Sequence, residues 1–152
     1  MSRKSMSVAI AMALVFTLTA CGDASGDTQS ATTLATGGTE TAAAGIRVVS
    51  PTDGASILEN PPVDLVVLDV RTEEEFTDGH LEGAVMLDFY SPDFRDRLAE
   101  LDPDVPYLIY CRSGNRSGQT RAIMADLGFS DVADVEGGIL AWNAADLAVV
   151  TP

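Results

Sequence analysis

Short apolar runs alternate with amphipathic stretches from residue 46 onward. Residues 65–70 and 107–110 are continuous runs of apolar, β-branched and aromatic side chains, which is typical of strands buried on both faces of a sheet. Shorter runs of the same kind predict three further strands, at residues 46–49, 84–87 and 132–135.

The stretches between these runs have helical features. Ser50 followed by Pro51 is a favourable helix start. Apolar residues recur at helical spacing in the later stretches, and Gly128 is placed as a C-terminal cap. The predicted helices cover residues 51–58, 93–101 and 117–127, with the apolar sides formed by Phe94, Leu98 and Leu101 in the second and by Ala122, Ile123 and Leu127 in the third. This alternation predicts an α/β fold in which helices cover a parallel sheet, with ligands at the carboxyl ends of the strands.

The first 20 residues differ in character from the rest of the chain. Arg3 and Lys4 precede an uncharged, mostly apolar run from Val8 to Ala20, which is too short to span a bilayer and is typical of a secretory signal peptide. Residues 18–21, Leu-Thr-Ala-Cys, resemble the lipobox of bacterial lipoproteins. That resemblance implies cleavage before Cys21, a diacylglyceryl group (with palmitate-type acyl chains) on Cys21, and an extracytoplasmic protein anchored to a membrane of the bacterial cell envelope. The alternatives are an ordinary signal peptide followed by an unmodified Cys, or an apolar run retained as a membrane helix.

Residues 21–45 are mostly Ala, Thr, Ser, Gly and Asp, with Leu34 as the only large apolar residue after Cys21 and Gly22. Such a segment cannot bury enough apolar surface to fold, so we predict a flexible stalk. The remaining residues, 46–150, suit one small domain.

The charge of the chain is strongly negative, at −14. Cleavage after residue 20 removes Arg3 and Lys4, which leaves 9 − 2 = 7 basic and 23 acidic residues and a net charge of −16. This balance argues against nucleic-acid binding and against electrostatic docking to anionic lipid, so we expect membrane contact through the lipid only. The two cysteines, Cys21 and Cys111, leave no internal disulfide if Cys21 is lipidated and cannot form a structural zinc site.

The stretch that follows the predicted strand at residues 107–110 concentrates the candidate chemistry. It joins the carboxyl end of a buried strand to a helix N-terminus, where backbone N–H groups and the helix dipole stabilise an anion. Gly114 lets the backbone curl so that these N–H groups converge. A thiol in this setting is expected to have a lowered pKa, whereas a structural Cys would be surrounded by apolar residues. The stretch consists of Cys111, Arg112, Ser113, Gly114, Asn115, Arg116 and Ser117.

The sequence CRSGNRS at residues 111–117 resembles the active-site loop of rhodanese domains. Residues 68–71 (LDVR), 75–76 (EF) and 79–84 (GHLEGA) are similar to the first signature of that family, and residues 135–142 (VEGGILAW) to its closing segment. The three motifs occur in the family's order over residues 46–150. The resemblance implies a rhodanese-like α/β fold with a central, mostly parallel five-stranded sheet and helices on both faces.

The resemblance also implies a sulfurtransferase activity. Cys111 would be the nucleophile that takes a sulfane sulfur from a small anionic donor such as thiosulfate, and the resulting persulfide would pass to a thiophilic acceptor, either cyanide in vitro or a protein thiol. The backbone N–H groups of residues 112–117, here called the N–H cradle, would bind the persulfide, and Arg112 and Arg116 would help to bind the donor. Asp69 and Arg71 would support the site structurally. Neither a metal nor an organic cofactor is expected.

Three other features are interpreted as structural. His80, the only histidine, lies in a Gly-His-Leu-Glu-Gly turn; Trp142 is assigned to the core; and residues 73–75, three glutamates, are interpreted as a solvated helix start.

Two other functions remain as alternatives. One is a non-catalytic binding or redox-sensing module with the same fold. The other is a Cys-dependent phosphatase, which requires Cys-x5-Arg, whereas Ser117 stands at the sixth position after Cys111 and Tyr110 replaces the His that precedes the Cys.

Overall fold

A computed structural model describes residues 44–152. The predicted signal peptide at residues 1–20, the predicted lipidation site Cys21 and nearly all of the predicted stalk lie outside these described residues. Within residues 44–152, every helix is too short or too polar to cross a membrane.

The described part of the chain alternates strands and helices. The strands are β1 (Ile46–Val49), β2 (Val66–Asp69), β3 (Val85–Met86), β4 (Pro106–Tyr110) and β5 (Asp131–Val135). The helices are α1 (Pro51–Glu59), α2 (Glu73–Thr77), α3 (Phe94–Ala99), α4 (Asn115–Asp126) and α5 (Gly138–Ala144). The strands form one five-stranded sheet in the order β1-β5-β4-β2-β3, and every pairing is parallel. The predicted fold class is therefore confirmed.

Helices cover both faces of the sheet. Leu98 of α3 and Met124 of α4 belong to one buried cluster, and Trp142 of α5 belongs to the other, against which Leu58 of α1 packs. Side chains of β4 alternate between the two clusters, because successive residues of a strand point to opposite faces. Cys111 continues this alternation on the face covered by α3 and α4.

The fourth helix differs from the prediction in its start and in its buried side. It begins at Asn115, two residues earlier than expected. Ala122 is exposed, and Ile123 and Leu127 are only partly buried. The buried side contains small polar residues whose hydrogen bonds are satisfied locally, as when the Thr120 hydroxyl donates to the carbonyl of Arg116 at 2.9 Å. Ile123 and Leu127 thus pack against the core as predicted, whereas Ala122 does not, and apolar periodicity gave no indication of the buried polar residues.

The end of α4 matches the prediction. Gly128 has a left-handed φ of +87°, and its N–H donates to the carbonyl of Ala125 at 3.1 Å. The N–H of Phe129 donates to the carbonyl of Met124 at 3.0 Å. These two bonds satisfy carbonyls in the last turn, as in a glycine-capped helix.

The residues interpreted as structural pack as core and turn elements. The ring of His80 stacks on Phe76 with centroids 3.8 Å apart, and its backbone forms an isolated antiparallel bridge with Val150. Trp142 is buried, and its indole N–H donates to the carbonyl of Ala148 at 3.0 Å.

Candidate functional site

The thiol of Cys111 lies immediately after β4, at the carboxyl end of the sheet. The residue is only 1% exposed, and its thiol is free. The N–H of Gly114 donates to Sγ at 3.1 Å, and the hydroxyl of Ser117 donates to Sγ at 3.5 Å. The sulfur is therefore held among hydrogen-bond donors although it is buried.

Two opposing effects set the pKa of Cys111. Burial raises it, because the thiolate loses solvation. The hydroxyl and N–H of Ser117, together with the N–H groups of Ser113 and Gly114, stabilise the thiolate and outweigh burial. The net effect is a pKa below the ordinary value, which favours the nucleophilic form.

The N–H cradle combines a glycine turn with the first turn of α4. Gly114 is the N-cap residue and has a φ of +90°, a conformation that favours glycine. The N–H of Gly114 donates to Sγ of Cys111. Among the described residues, no backbone carbonyl accepts from the other N–H groups of the cradle, which belong to Arg112, Ser113, Asn115, Arg116 and Ser117. Donors of this kind at a helix N-terminus form a binding place for an anion.

The start of α5 fixes the orientation of the cradle. The N–H of Ile139 donates to the carbonyl of Cys111 at 2.9 Å, and the N–H of Leu140 donates to the carbonyl of Arg112 at 3.1 Å. In a planar trans peptide the C=O and the following N–H point in opposite directions. These two bonds therefore turn the N–H groups of Arg112 and Ser113 away from α5, so that no backbone carbonyl accepts from them and the N–H of Ser113 stabilises the Cys111 thiolate.

Gly138 makes this close approach possible. A Cβ at residue 138 would lie 2.3 Å from the carbonyl oxygen of Cys111 and 2.8 Å from that of Arg112, and the φ of Gly138 is +58°. Both the space and the backbone conformation thus require glycine at this position.

The two arginines of the loop have different environments. Arg116 is largely buried and forms a two-pronged ion pair with Glu75, with both N···O distances at 2.7 Å. Its guanidinium also lies over the ring of Tyr90, 5.5 Å from the centroid. Arg112 is exposed and belongs to none of the ion pairs found within residues 44–152. Glu75 therefore compensates the charge of Arg116, and the expected role of both arginines in donor binding stays a prediction.

Glu75 was expected to be a solvated residue at a helix start, and the structure shows that this expectation was wrong. Thr72 and Glu75 form a capping box at the start of α2, in which the N–H of Thr72 donates to Glu75 and the N–H of Glu75 donates to the Thr72 hydroxyl. Hydrogen bonds from Arg116, followed by those from Thr72, lower the pKa of Glu75 to about 2 against the opposing effect of burial. Its carboxylate is therefore charged at neutral pH.

An open pocket of about 430 Å³ lies against the loop. Its lining consists of Thr72, Glu75, Tyr90, Arg112, Ser113, Asn115 and Arg116. The pocket thus brings together four of the predicted site residues with three from the region of α2 and the segment after β3.

Asp69 and Arg71 form a buried ion pair below the site. The Arg71 guanidinium donates to both carboxylate oxygens of Asp69 at 2.6–2.9 Å and to the carbonyl of Gly79 at 2.7 Å. The guanidinium carbon also lies 5.4 Å from the centre of the Tyr110 ring, whose hydroxyl accepts from the N–H of Leu81. The pair thereby joins β2 to the turn that follows α2.

Within residues 44–152, no three His, Cys, Asp or Glu side chains are grouped as metal ligands would be. The candidate site is centred on the Cys111 thiol, which accepts hydrogen bonds from the N–H of Gly114 and the hydroxyl of Ser117. The sequence model of the rhodanese-like domain matches residues 50–145.

The chain belongs to the rhodanese-like domain family. It is 40% identical over 79 residues to the thiosulfate sulfurtransferase GlpE of Pseudomonas putida, covering 52% of this chain and 70% of that protein. It is 35% identical over 89 residues to a sulfurtransferase of Allochromatium vinosum, covering 59% and 81%. Among solved structures, a rhodanese-related protein of Thermoplasma volcanium aligns with a TM-score of 0.61 and 27% identity over 70% of this chain and 99% of that chain. These relatives support sulfur transfer as the general class of activity of this rhodanese-like domain.

The sequence interpretation missed two contributors to the site. The Thr-x-x-Glu pattern at residues 72–75 is a recognisable capping box, but nothing local connects Glu75 to Arg116, which lies 41 positions later. The paired glycines Gly137 and Gly138 were noted as part of a motif, whereas their packing against the cradle is visible only in the folded chain.

Proposed function

We propose that this protein is a sulfurtransferase that carries sulfane sulfur as a persulfide on Cys111. The observation that carries the proposal is the Cys111 thiol next to an open pocket, with its pKa lowered by hydrogen bonds from the loop and with surrounding N–H groups that no backbone carbonyl engages. A thiolate there is a nucleophile, and the same donors that stabilise it also suit a persulfide anion.

The reaction is proposed to proceed in two half-reactions. In the first, the Cys111 thiolate attacks the outer sulfur of thiosulfate; the S–S bond of the donor breaks, and its electron pair leaves with sulfite. In the second, a thiophilic acceptor attacks the outer sulfur of the persulfide and regenerates the thiolate. With cyanide as acceptor the product is thiocyanate, and with a protein thiolate it is a protein persulfide. Covalent storage on the enzyme predicts ping-pong kinetics.

Intact-mass measurement of the purified domain tests this proposal. Thiosulfate is expected to add one sulfur atom to the wild-type protein, and cyanide is expected to remove it. Cys111→Ser provides the control, since it keeps a small polar side chain but no thiol. A wild-type mass that does not change with thiosulfate or any other sulfane donor would contradict sulfur transfer and favour a binding or redox-sensing module.

We also propose that the protein is a lipoprotein of the bacterial cell envelope. The support is the sequence alone, namely an apolar leader that ends in Leu-Thr-Ala-Cys at residues 18–21. Two acyl chains on Cys21 would give stable anchoring. Wild-type protein is expected to sediment with membranes and partition into detergent, and Cys21→Ala is expected to abolish the lipid mass. Wild-type protein recovered in the aqueous phase without a lipid mass would contradict the anchor.

A further inference from the structure

Glu75 places a negative charge inside a pocket that is expected to receive an anion. The three charged residues of the pocket lining are Arg112, Arg116 and Glu75, so the formal charge of the lining is one positive unit. The carboxylate of Glu75 engages both terminal nitrogens of Arg116 at 2.7 Å. Only Arg112 remains as an uncompensated cation at the mouth of the site.

The position of Arg116 makes this neutralisation persistent. Glu75 binds the guanidinium in its plane, while the ring of Tyr90 lies over its face. Glu75 is itself fixed by the capping box with Thr72. A donor that needs Arg116 as a second free cation would have to displace Glu75 from Arg116. The net negative charge of the chain does not offset the cost of breaking that ion pair.

We propose that Glu75 is a specificity-determining residue that weakens the recognition of doubly charged sulfane donors in this pocket relative to singly charged donors. This inference rests on the proposed sulfur transfer at Cys111. The carboxylate of Glu75 repels each unit of negative charge on a donor, so it penalises the dianion thiosulfate more than a monoanion. The donors least affected by this penalty are thiosulfonate anions and other sulfane sulfur compounds of one negative charge.

Methanethiosulfonate anion and thiosulfate are a matched pair of probes. Each contains a sulfane sulfur bonded to an oxidised sulfur, and they differ by one unit of charge. With methanethiosulfonate, the Cys111 thiolate attacks the outer sulfur, the S–S bond breaks and the electron pair leaves with methanesulfinate. Both donors generate the same persulfide, and their intrinsic reactivities cancel when variants are compared, so a change in the ratio of their kcat/KM values reports recognition of donor charge.

The first variant is Glu75→Gln, which removes the charge but keeps a side chain that suits a capping box. Its ratio of kcat/KM for thiosulfate to kcat/KM for methanethiosulfonate is expected to rise about 2- to 5-fold, as for one unit of charge acting over several ångströms in a hydrated site. Glu74→Gln is the matched control, because Glu74 is exposed on the same helix and lies outside the pocket lining. That control is expected to leave the ratio unchanged.

The second variant, Arg112→Ala, tests the same charge balance without altering the ion pair. It brings the formal charge of the lining to zero, so the thiosulfate-to-methanethiosulfonate ratio is expected to fall by a similar factor. The role of Glu75 would be overturned by an unchanged ratio in both Glu75→Gln and Arg112→Ala, or by a rise in Glu74→Gln equal to that in Glu75→Gln. In either case, persulfide formation on the wild-type protein would still support sulfur transfer. If neither donor forms a persulfide on the wild-type protein, sulfur transfer itself is overturned, and the inference with it.

Discussion

The N–H of Ile139 donates a 2.9 Å hydrogen bond to the carbonyl of Cys111, so the start of α5 is attached directly to the residue that carries the thiol. Leu140 makes the equivalent bond to Arg112 at 3.1 Å. The orientation of the cradle therefore depends on α5, a helix that supplies none of the N–H donors of the cradle. Gly138 lets this helix approach the loop, and its role can be tested by substitution.

Gly138→Ala is expected to destabilise the protein and to disable sulfur loading. The added Cβ would lie 2.3 Å from the carbonyl of Cys111, so the loop or α5 has to move. Left-handed backbone alone costs a non-glycine residue about 1–2 kcal/mol, and the clash adds to that cost. Urea denaturation and intact-mass loading measure the two effects. Gly83→Ala is the control, since Gly83 also has a positive φ, +74°, but open space around it; loss of loading in that variant too would show that the effect is general.

Ser117→Ala is expected to raise the pKa of Cys111. The Ser117 hydroxyl is the strongest of the donors that oppose the effect of burial on this thiol. Its removal should shift the midpoint of the pH dependence of iodoacetamide alkylation upward and slow alkylation at neutral pH. Ser113 acts on Sγ through its backbone N–H, so Ser113→Ala should leave the midpoint unchanged. Equal midpoints for Ser117→Ala and wild type would contradict the role of the hydroxyl.

The ion pair between Arg71 and Asp69 is expected to matter far more for stability than the pair between Arg47 and Asp131. The side chains of the first pair are 5% and 0% exposed, and those of the second are 24% and 22% exposed. Arg71→Ala leaves a buried carboxylate without its partner and should cost about 3–5 kcal/mol. Arg47→Ala should cost less than about 1 kcal/mol. Denaturation midpoints at neutral pH measure both, and similar losses would contradict the contrast in burial.

Moderate salt is expected to increase kcat/KM for thiosulfate before higher salt decreases it. The chain has a net charge of −14, and at 0.01 M ionic strength charges interact over about 30 Å, so the whole acidic surface repels a dianion. Added salt screens these distant charges before it screens Arg112, which lines the pocket. Initial rates across a salt series test this, with methanethiosulfonate as the donor of lower charge. A monotonic fall for thiosulfate would show that local attraction dominates.

Local sequence patterns were sufficient for much of the fold. The apolar runs that predicted strands correspond to β1 through β5. A continuous apolar sequence is expected for the central strands β2, β4 and β5, which are buried on both faces, whereas the edge strands β1 and β3 expose Ile46, Val48 and Val85. The same reasoning placed Cys111 between a strand end and a helix N-terminus. What failed was the buried side of α4, where Ser117 and Thr120 take positions that apolar periodicity assigns to larger residues.

The parts of the site that the sequence did not predict depend on contacts between segments that are distant in sequence. Glu75 is one of three consecutive glutamates, and only the packing of α2 against the start of α4 distinguishes it from its neighbours. The bonds from Ile139 and Leu140 likewise depend on how closely the start of α5 approaches the loop after β4, which no local sequence pattern indicates.

The burial of Cys111 has a consequence for the regiochemistry of the second half-reaction. With the residue 1% exposed, Sγ is accessible only to a small reacting group such as the outer sulfur of thiosulfate, and a bulky protein thiol has far less access to it. A persulfide places its terminal sulfur about 2 Å further out, since that is the length of an S–S bond. Attack on that terminal atom transfers sulfur, whereas attack on Sγ would release hydrosulfide and leave the enzyme in a mixed disulfide. In the proposed reaction, the depth of the thiol would therefore favour sulfur transfer to a protein acceptor over trapping of the enzyme as a mixed disulfide.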